Sequence, residues 1–302
     1  MTIRTMRVTK RVVAAVATAA LGATLLALPT SPVGATSTVT DIRLQGVDRE
    51  ATSVDISANA GNANTNKFVL VNSRSYPDAV TASALAGSVQ GSIITLPGDG
   101  SLSAAAKARL ENATDVWIVG GTDAVPATVE AAVQANSVSV VTSFTRIAGT
   151  DRFDTMKKVA AAVGAPGTLA SKKTVFLANA YNFADAVTAS PAAYAGPHQM
   201  LLTGALSLNA VTKATITSLG ATQVVILGGT AAISAAVAAE VDAMTGVSVI
   251  RVAGDDRYET AKAFAELLIQ STGTGGFGWS AANVGLANIA ASGDGADALA
   301  AS

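Results

Sequence analysis

The sequence predicts an α/β protein made of tandem copies of one Rossmann-like, parallel-sheet unit. Three observations lead there. A ten-residue motif recurs three times at near-equal spacing, two further landmarks follow it in the same order, and short apolar runs alternate with helical stretches between them.

Residues 43–52, 146–155 and 251–260 all read R-x-x-G-x-D-R-x-x-T, and their starts lie 103 and 105 residues apart. The stretch 76–83 matches 183–190, and 296–302 matches both after a small Gly-rich insertion. Residues 116–122 match 224–230, each ending in Gly-Gly-Thr. A period this long is not a solenoid turn, so each copy should be a layered unit with its own sheet. The third copy stops before the last landmark. The expected organisation is a leader at 1–35, a first repeat at 36–142 with a degenerate start, a second at 143–250 and an incomplete third at 251–302.

Within the copies, the apolar runs 68–71, 92–96, 116–119 and 138–141 correspond to 174–178, 199–203, 224–227 and 247–252. Unbroken apolar runs bounded by turn residues read as strands buried on both faces, as in a parallel sheet. Helical stretches at 185–194, 207–219 and 233–244 separate them, which predicts a sheet covered by helices. The second motif leads into an amphipathic helix with Phe153, Met156, Val159, Ala160 and Val163 on one face, and the third does the same with Tyr258, Ala261, Phe264, Ala265 and Leu268. After the first motif the chain runs through Ser, Asp and Asn, and no firm helix is expected there.

Half of the 302 residues are apolar, 14% are charged and 4% are aromatic, with a mean hydropathy of +0.42. Such a chain packs rather than staying disordered. There is no cysteine, which removes disulfides, thiolate nucleophiles and thiolate metal sites. Arg4, Arg7, Lys10 and Arg11 precede an uncharged stretch from Val12 to Leu28, broken by Pro29 and Pro32 and followed by a small-residue site ending at Ala35. That is the pattern of a secretory signal peptide, and the stretch is short and weak for a spanning helix. Its removal takes four of the 20 basic residues and leaves 16 against 21 acidic ones. No basic stripe remains, so nucleic acid is not an expected partner, and no later segment is apolar enough to span a membrane.

The motif sits where a strand turns into a helix. Asp48, Asp151 and Asp256 are placed as helix N-caps, and Glu259 follows Asp256 at capping-box spacing. Thr155 and Thr260 belong to the same junction. Arg49, Arg152 and Arg257 lie in the first helical turn, where a cation opposes the helix dipole. They have two readings: arginines that bind an anion at a helix start, with Arg43, Arg146 and Arg251 reaching in from the preceding segment, or arginines paired with aspartate to lock one repeat to the next. Asp78, Asp185 and Asp297 open Ala-rich helices and read first as helix-capping residues, second as sugar-hydroxyl acceptors. The Gly-Gly-Thr turns complete neither a dinucleotide fingerprint nor a Walker loop. His198 is the single histidine and reads as a solvated loop residue; it rules out a zinc site built on two histidines. No nucleophile elbow occurs, and 292–297 lacks the ligands of a calcium loop. No catalytic residue, metal or cofactor is expected.

The start around Arg146–Thr155, the Asn-Phe-Ala-Asp-Ala middle at 182–186 and the end at 224–233 together resemble the cell wall-binding repeat 2 family of Gram-positive surface proteins. The resemblance covers essentially all of the chain after the leader. It implies three Rossmann-like repeats around a pseudo-threefold axis, the third truncated here. It also implies non-covalent attachment to an anionic cell-wall polysaccharide, a place at the cell surface, and any effector domain lying elsewhere. A surface adhesin or structural layer protein, and a Rossmann-like enzyme acting on a nucleotide or sugar, remain as alternatives.

Overall fold

A computed structural model of the chain describes residues 42–59, 66–138, 141, 143–182, 184–280 and 285–287. The leader, Phe183 and Asp297 lie outside these residues. From Leu44 onward the described chain forms one unit. The first repeat runs α1 (Arg49–Asn59), β1 (Lys67–Asn72), α2 (Tyr76–Val89), β2 (Ser92–Leu96), α3 (Ala104–Leu110), β3 (Asp115–Val119), α4 (Thr128–Asn136) and β4 (Ser143–Ile147). The second runs α5 (Arg152–Val163), β5 (Thr168–Leu169), β6 (Lys172–Asn179), α6 (Ala184–Val187), α7 (Ser190–Ala195), β7 (Met200–Thr203), α8 (Ala210–Ser218), β8 (Gln223–Leu227), α9 (Ala235–Asp242) and β9 (Ser248–Val252). A further helix, α10 (Arg257–Ile269), follows the third motif.

Each repeat builds one parallel four-stranded sheet. The first has the order β2-β1-β3-β4, and the second has the matching order β7-β6-β8-β9, with the short β5 antiparallel on β6. Parallel neighbours need helical crossovers, which the alternating sequence supplies. The tandem α/β expectation therefore holds. The sheets take their fourth strands from the segments that carry Arg146 and Arg251, so the second and third motifs each begin on the edge strand of a sheet.

Alternation along β1 divides the core. Phe68 and Leu70 turn to one face, with Ile94, Leu96, Ile118 and the α3 and α4 residues Leu110, Val129 and Val133. Val69 and Val71 turn to the other, where α2 brings Val80 and Leu85 into a cluster continuous with Phe176, Leu201 and Ile226 of the second repeat. Each fully buried Leu or Phe contributes about 1.5–3 kcal/mol, and the second cluster ties the two repeats into one core. The Ala-rich sequence of α2 allows that close contact: Gly87 faces the Tyr194 backbone so tightly that a Cβ there would collide with it, and Tyr194 Oη donates to the Gly91 carbonyl at 3.2 Å.

Four local expectations are corrected. The strand placed at 138–141 lies at Ser143–Ile147, and Val138 is 68% exposed. The apolar run drew attention away from the sparser segment that pairs with β3. The helix placed at 185–194 is broken into α6 and α7, because Pro191, in the first turn of α7, has no N–H to donate back across the break. The segment after the first motif is helical after all, as α1. It docks through polar groups: Thr95 N donates to Ser53 Oγ (3.0 Å), Thr95 Oγ1 to the Arg49 carbonyl (3.0 Å), and Arg109 Nε to Ser57 Oγ (2.9 Å). His198 is 1% exposed rather than solvated; its Nδ1 lies 3.1 Å from the Thr174 carbonyl, and its ring meets Phe176 edge-on at 5.5 Å. Burial pushes its pKa below the ordinary value.

The Gly87 contact predicts an unusual sign. Replacing a helical Gly with Ala in open space would add up to about 1 kcal/mol of stability. Gly87→Ala should instead lose about 1–3 kcal/mol by overpacking against Tyr194, measured by urea unfolding. A stabilised variant would show that the joint between repeats is loose.

Candidate functional site

The recurring motif folds the same way in each copy. The Gly at its fourth position packs on the start of the following helix, where a Cβ at Gly46, Gly149 or Gly254 would collide with helix backbone five or six residues on. The closing Thr accepts that glycine's N–H: Gly46 to Thr52 Oγ1 at 3.0 Å, Gly149 to Thr155 at 2.9 Å and Gly254 to Thr260 at 3.1 Å. The Asp caps the helix. Asp151 Oδ1 accepts from Phe153 N and Asp154 N, both at 2.8 Å, and Asp256 Oδ1 accepts from Tyr258 N and Glu259 N, both at 2.9 Å. Asp48 Oδ1 accepts from Ala51 N at 2.8 Å. The Glu259 carboxylate turns to Lys262 at 3.6 Å. Gly, Asp and Thr thus make the strand-to-helix turn, with each donor and acceptor matched.

The motif's two arginines point to different places. Arg146, from β4, donates through Nη1 to the carbonyls of Gly120 (3.0 Å) and Val125 (2.9 Å) and pairs with Glu130 at 3.1 Å. Arg251, from β9, donates to Gly228 (2.8 Å), Gly229 (3.3 Å) and Ser234 (3.3 Å). Both guanidiniums gather the carbonyls of the loop that follows the Gly-Gly turn. The second arginine reaches from its helix start to the end of the following repeat strand. Arg49 Nη1 meets the Ser73 carbonyl at 3.3 Å, and Arg152 Nη1 meets the Ala180 carbonyl at 2.6 Å while its guanidinium lies 4.7 Å over the Tyr181 ring. Arg257 opens α10 in the equivalent position and influences Asp185 electrostatically. Arg43 is exposed.

The Ala180 carbonyl also accepts from Tyr76 Oη at 2.8 Å, so residues of both repeats converge on one oxygen. Asp78 lies in the first turn of α2, not at its cap, and accepts from Ser75 Oγ at 2.7 Å. It is 8% exposed; burial raises its carboxyl pKa against the lowering effects of Ser75 and Arg152. Asp185 is raised by burial too, opposed by a hydrogen bond from Thr260 and the charge of Arg257. Asp78 and Asp185 therefore each face the motif of the next copy.

Strand order changes direction beside β1 and β6, which is where open α/β sheets commonly hold ligands. Here side chains fill that position. Asn72 Nδ2 donates to the Ala124 carbonyl at 2.5 Å, and Asn179 Nδ2 to Ala232 at 2.6 Å. Gly120 and Gly228 have φ of 119° and 96°, and each presses against the Asp78 or Asp185 carboxylate. Their N–H groups are bound to the Ile147 and Val252 carbonyls at 3.0 and 2.8 Å. These turns are tight corners, not phosphate cradles. Among the described residues no three His, Cys, Asp or Glu side chains are grouped to hold a metal ion. The asparagines and the tyrosines Tyr76 and Tyr181 were not singled out from the sequence, although Asn72 and Asn179 occupy matching places 107 residues apart.

An open cleft of about 570 Å³ lies at the C-terminal edge of the first sheet, lined by Asp48, Arg49, Glu50, Ser73, Arg74, Pro97 and Gly98. Asp48 and Glu50 turn their carboxylates to backbone N–H groups, Asp48 to Ala51 and Glu50 to Ser103 at 3.2 Å. Arg74 is exposed.

The family model for cell wall binding domain 2 (CWB2) matches residues 43–130 and 146–238. The chain belongs to this family. It is 32% identical over 234 residues to the N-acetylmuramoyl-L-alanine amidase LytC of Bacillus subtilis (strain 168), covering 77% of this chain and 44% of that protein. Among solved structures it is similar to Cwp6 from Clostridium difficile (TM-score 0.63, 24% identity, 75% of this chain and 37% of that one). It is also similar to Cwp8 from the same organism (TM-score 0.61, 25% identity, 74% and 37%). The chain thus spans less than half the length of these relatives. Membership in CWB2 makes this a cell wall-binding protein located at the cell wall and surface. Among the described residues no helix is long and apolar enough to cross a membrane.

Two outcomes follow for this CWB2 chain. Asp151→Ala should cost about 1 kcal/mol as a lost cap, and Thr155→Val about 1–3 kcal/mol, because the Gly149 N–H loses its acceptor; thermal unfolding checks both. The second concerns pH. The folded protein holds the Asp78 proton more tightly than the unfolded chain, so Asp78 favours folding below its ordinary value of 3.8 and loses that contribution as pH rises through the higher folded value. Asp78→Asn, neutral throughout, should therefore gain stability relative to the parent as pH rises from about 3 to about 7. A parent-to-variant difference that stays flat with pH would contradict the raised pKa.

Proposed function

We propose that this chain is a non-catalytic module that attaches an exported protein non-covalently to the wall by binding an anionic wall polymer. The observation that supports the polymer's charge is the cleft at the start of α1. There Arg49 and the exposed Arg74 stand beside the Ser73 carbonyl, while the neighbouring carboxylates are turned into backbone N–H groups. Guanidinium groups bind phosphate and carboxylate through paired donors. Arg152 holds the equivalent place in the second repeat, and Arg257 opens the helix of the third copy. Arg146 and Arg251 are directed inward to loop carbonyls and serve the same module by holding its turns. A nucleotide-handling reading has less support, because asparagine and aspartate fill the strand-order reversal and the N–H groups of Gly120 and Gly228 are bonded to strand carbonyls. The amidase relative is matched over less than half its length.

Co-sedimentation with purified cell walls tests the proposal. Arg49→Ala combined with Arg74→Ala should lower binding by about tenfold or more, and raising ionic strength to about 1 M should weaken the parent in the same direction. Walls stripped of anionic polymer should retain little of the parent. A folded double variant that binds like the parent would overturn the charge-based reading.

A further inference from the structure

The first and second sheets end in matching backbone but different surfaces. Asn72-Ser73-Arg74 in the first repeat corresponds to Asn179-Ala180-Tyr181 in the second. Where the first edge shows a guanidinium, the second shows an aromatic ring that is 65% exposed. A lone exposed tyrosine carries little information, since scattered surface apolar groups are common. Tyr181 is unusual because it is exposed and yet fixed on several sides. Its N–H donates to Asn179 Oδ1 at 2.7 Å, and Asn179 is itself tied to the Ala232 carbonyl at 2.6 Å. Its ring lies under the Arg152 guanidinium at 4.7 Å. Arg152 in turn is anchored on the Ala180 carbonyl, which Tyr76 holds from the other repeat. The loop after the paired strand β7 presents Leu206, which is 82% exposed.

We propose that this edge is a saccharide subsite, in which the Tyr181 ring stacks on the C–H face of a sugar and Arg152 pairs with that sugar's carboxylate or phosphate substituent. The inference rests on the wall-polymer reading and specifies the unit recognised: a sugar ring with an acidic group, not an anion alone. A rigid, half-apolar tyrosine brings large contact area with little conformational entropy left to lose. The guanidinium lies over one face of the ring and offers planar, paired donors, and its position is set before the ligand arrives. A protein partner would call for a wider apolar patch than one tyrosine and one leucine provide.

The full chain is titrated by calorimetry with soluble polysaccharide released from purified cell walls, and each variant's thermal midpoint is measured alongside. Tyr181→Ala should weaken binding on the order of tenfold, Tyr181→Phe should bring it back to within about threefold, and Tyr181→Leu should not restore it. Tyr258→Ala, which removes another exposed tyrosine at the start of α10, should bind as the parent does. The subsite is overturned if a folded Tyr181→Ala protein keeps the parent's affinity, or if Leu restores binding as well as Phe. Loss in the Arg49→Ala/Arg74→Ala protein without loss in Tyr181→Ala would reject the subsite and leave the anionic-polymer reading standing. A parent chain that binds none of the polysaccharide would reject both.

Discussion

The structure depends on one turn. Between the last residue of β4 and the first of α5 the chain has four residues, Ala148 to Asp151, in which to leave one sheet and start a helix packed beside the next. That turn closes because Gly149 can lie against the helix without a Cβ, Thr155 accepts its N–H, and Asp151 accepts two more N–H groups. A side chain at position 149 would push the helix away, and the contacts from α5 to β7 and α2 would go with it. The same turn precedes α1 and α10. Repetition of the motif is therefore repetition of a geometric requirement, and this explains why glycine, aspartate and threonine recur.

Much of this was legible in the sequence, for a physical reason. Glycine, capping aspartate and hydroxyl acceptor act within a span of ten residues, so their spacing carries their roles. Buried parallel strands also show themselves, because every residue of β2 and β8 must be apolar or internally bonded. What could not be read acts across distance. β4 has the pattern Ser-Phe-Thr-Arg-Ile and is only partly buried, so the denser apolar run before it looked more strand-like. α1 lacks an apolar stripe because Thr95, Ser103 and Arg109 supply its contacts, and these lie 42 to 53 residues away. His198 follows a proline at a chain reversal, yet the Thr174 carbonyl draws it inside. For the candidate site, motif spacing separated Arg49 and Arg152, at helix starts, from Arg146 and Arg251 before them, but not their roles, because the carbonyls that each guanidinium reaches lie far along the chain.

Those arginines show how one chemical group answers two needs. A guanidinium carries several donors in a plane and cannot be neutralised at ordinary pH, so it suits a loop whose carbonyls point the same way. Arg146 and Arg251 use it so, inside the repeat. Arg152 uses the same group between repeats: it joins the Ala180 carbonyl, the Tyr181 ring and, through its charge, Asp78. A cation in the first helical turn is unfavourable by the dipole argument alone, by a few tenths to about 1 kcal/mol. A short charge-assisted bond to Ala180 and the nearby aspartate offset that cost. The departure from the local rule is accounted for by the neighbouring strand end and the neighbouring repeat.

The joint also bears on recognition. Tyr76 and Arg152 come from different repeats and share one acceptor, while Gly87 and Tyr194 meet backbone to backbone further along α2. Two repeats fixed together in this way hold their surface edges at a constant separation. For a polymer ligand that constancy matters more than the strength of either edge. Once one unit of the polymer is engaged, the next binds as an intramolecular event, with an effective concentration set by the geometry and not by diffusion. A loose joint would let the separation vary and dilute that advantage. The Ala-rich, glycine-notched face of α2 sets the register between the arginine edge of the first sheet and the tyrosine edge of the second, the two edges that the proposed polymer binding would use together.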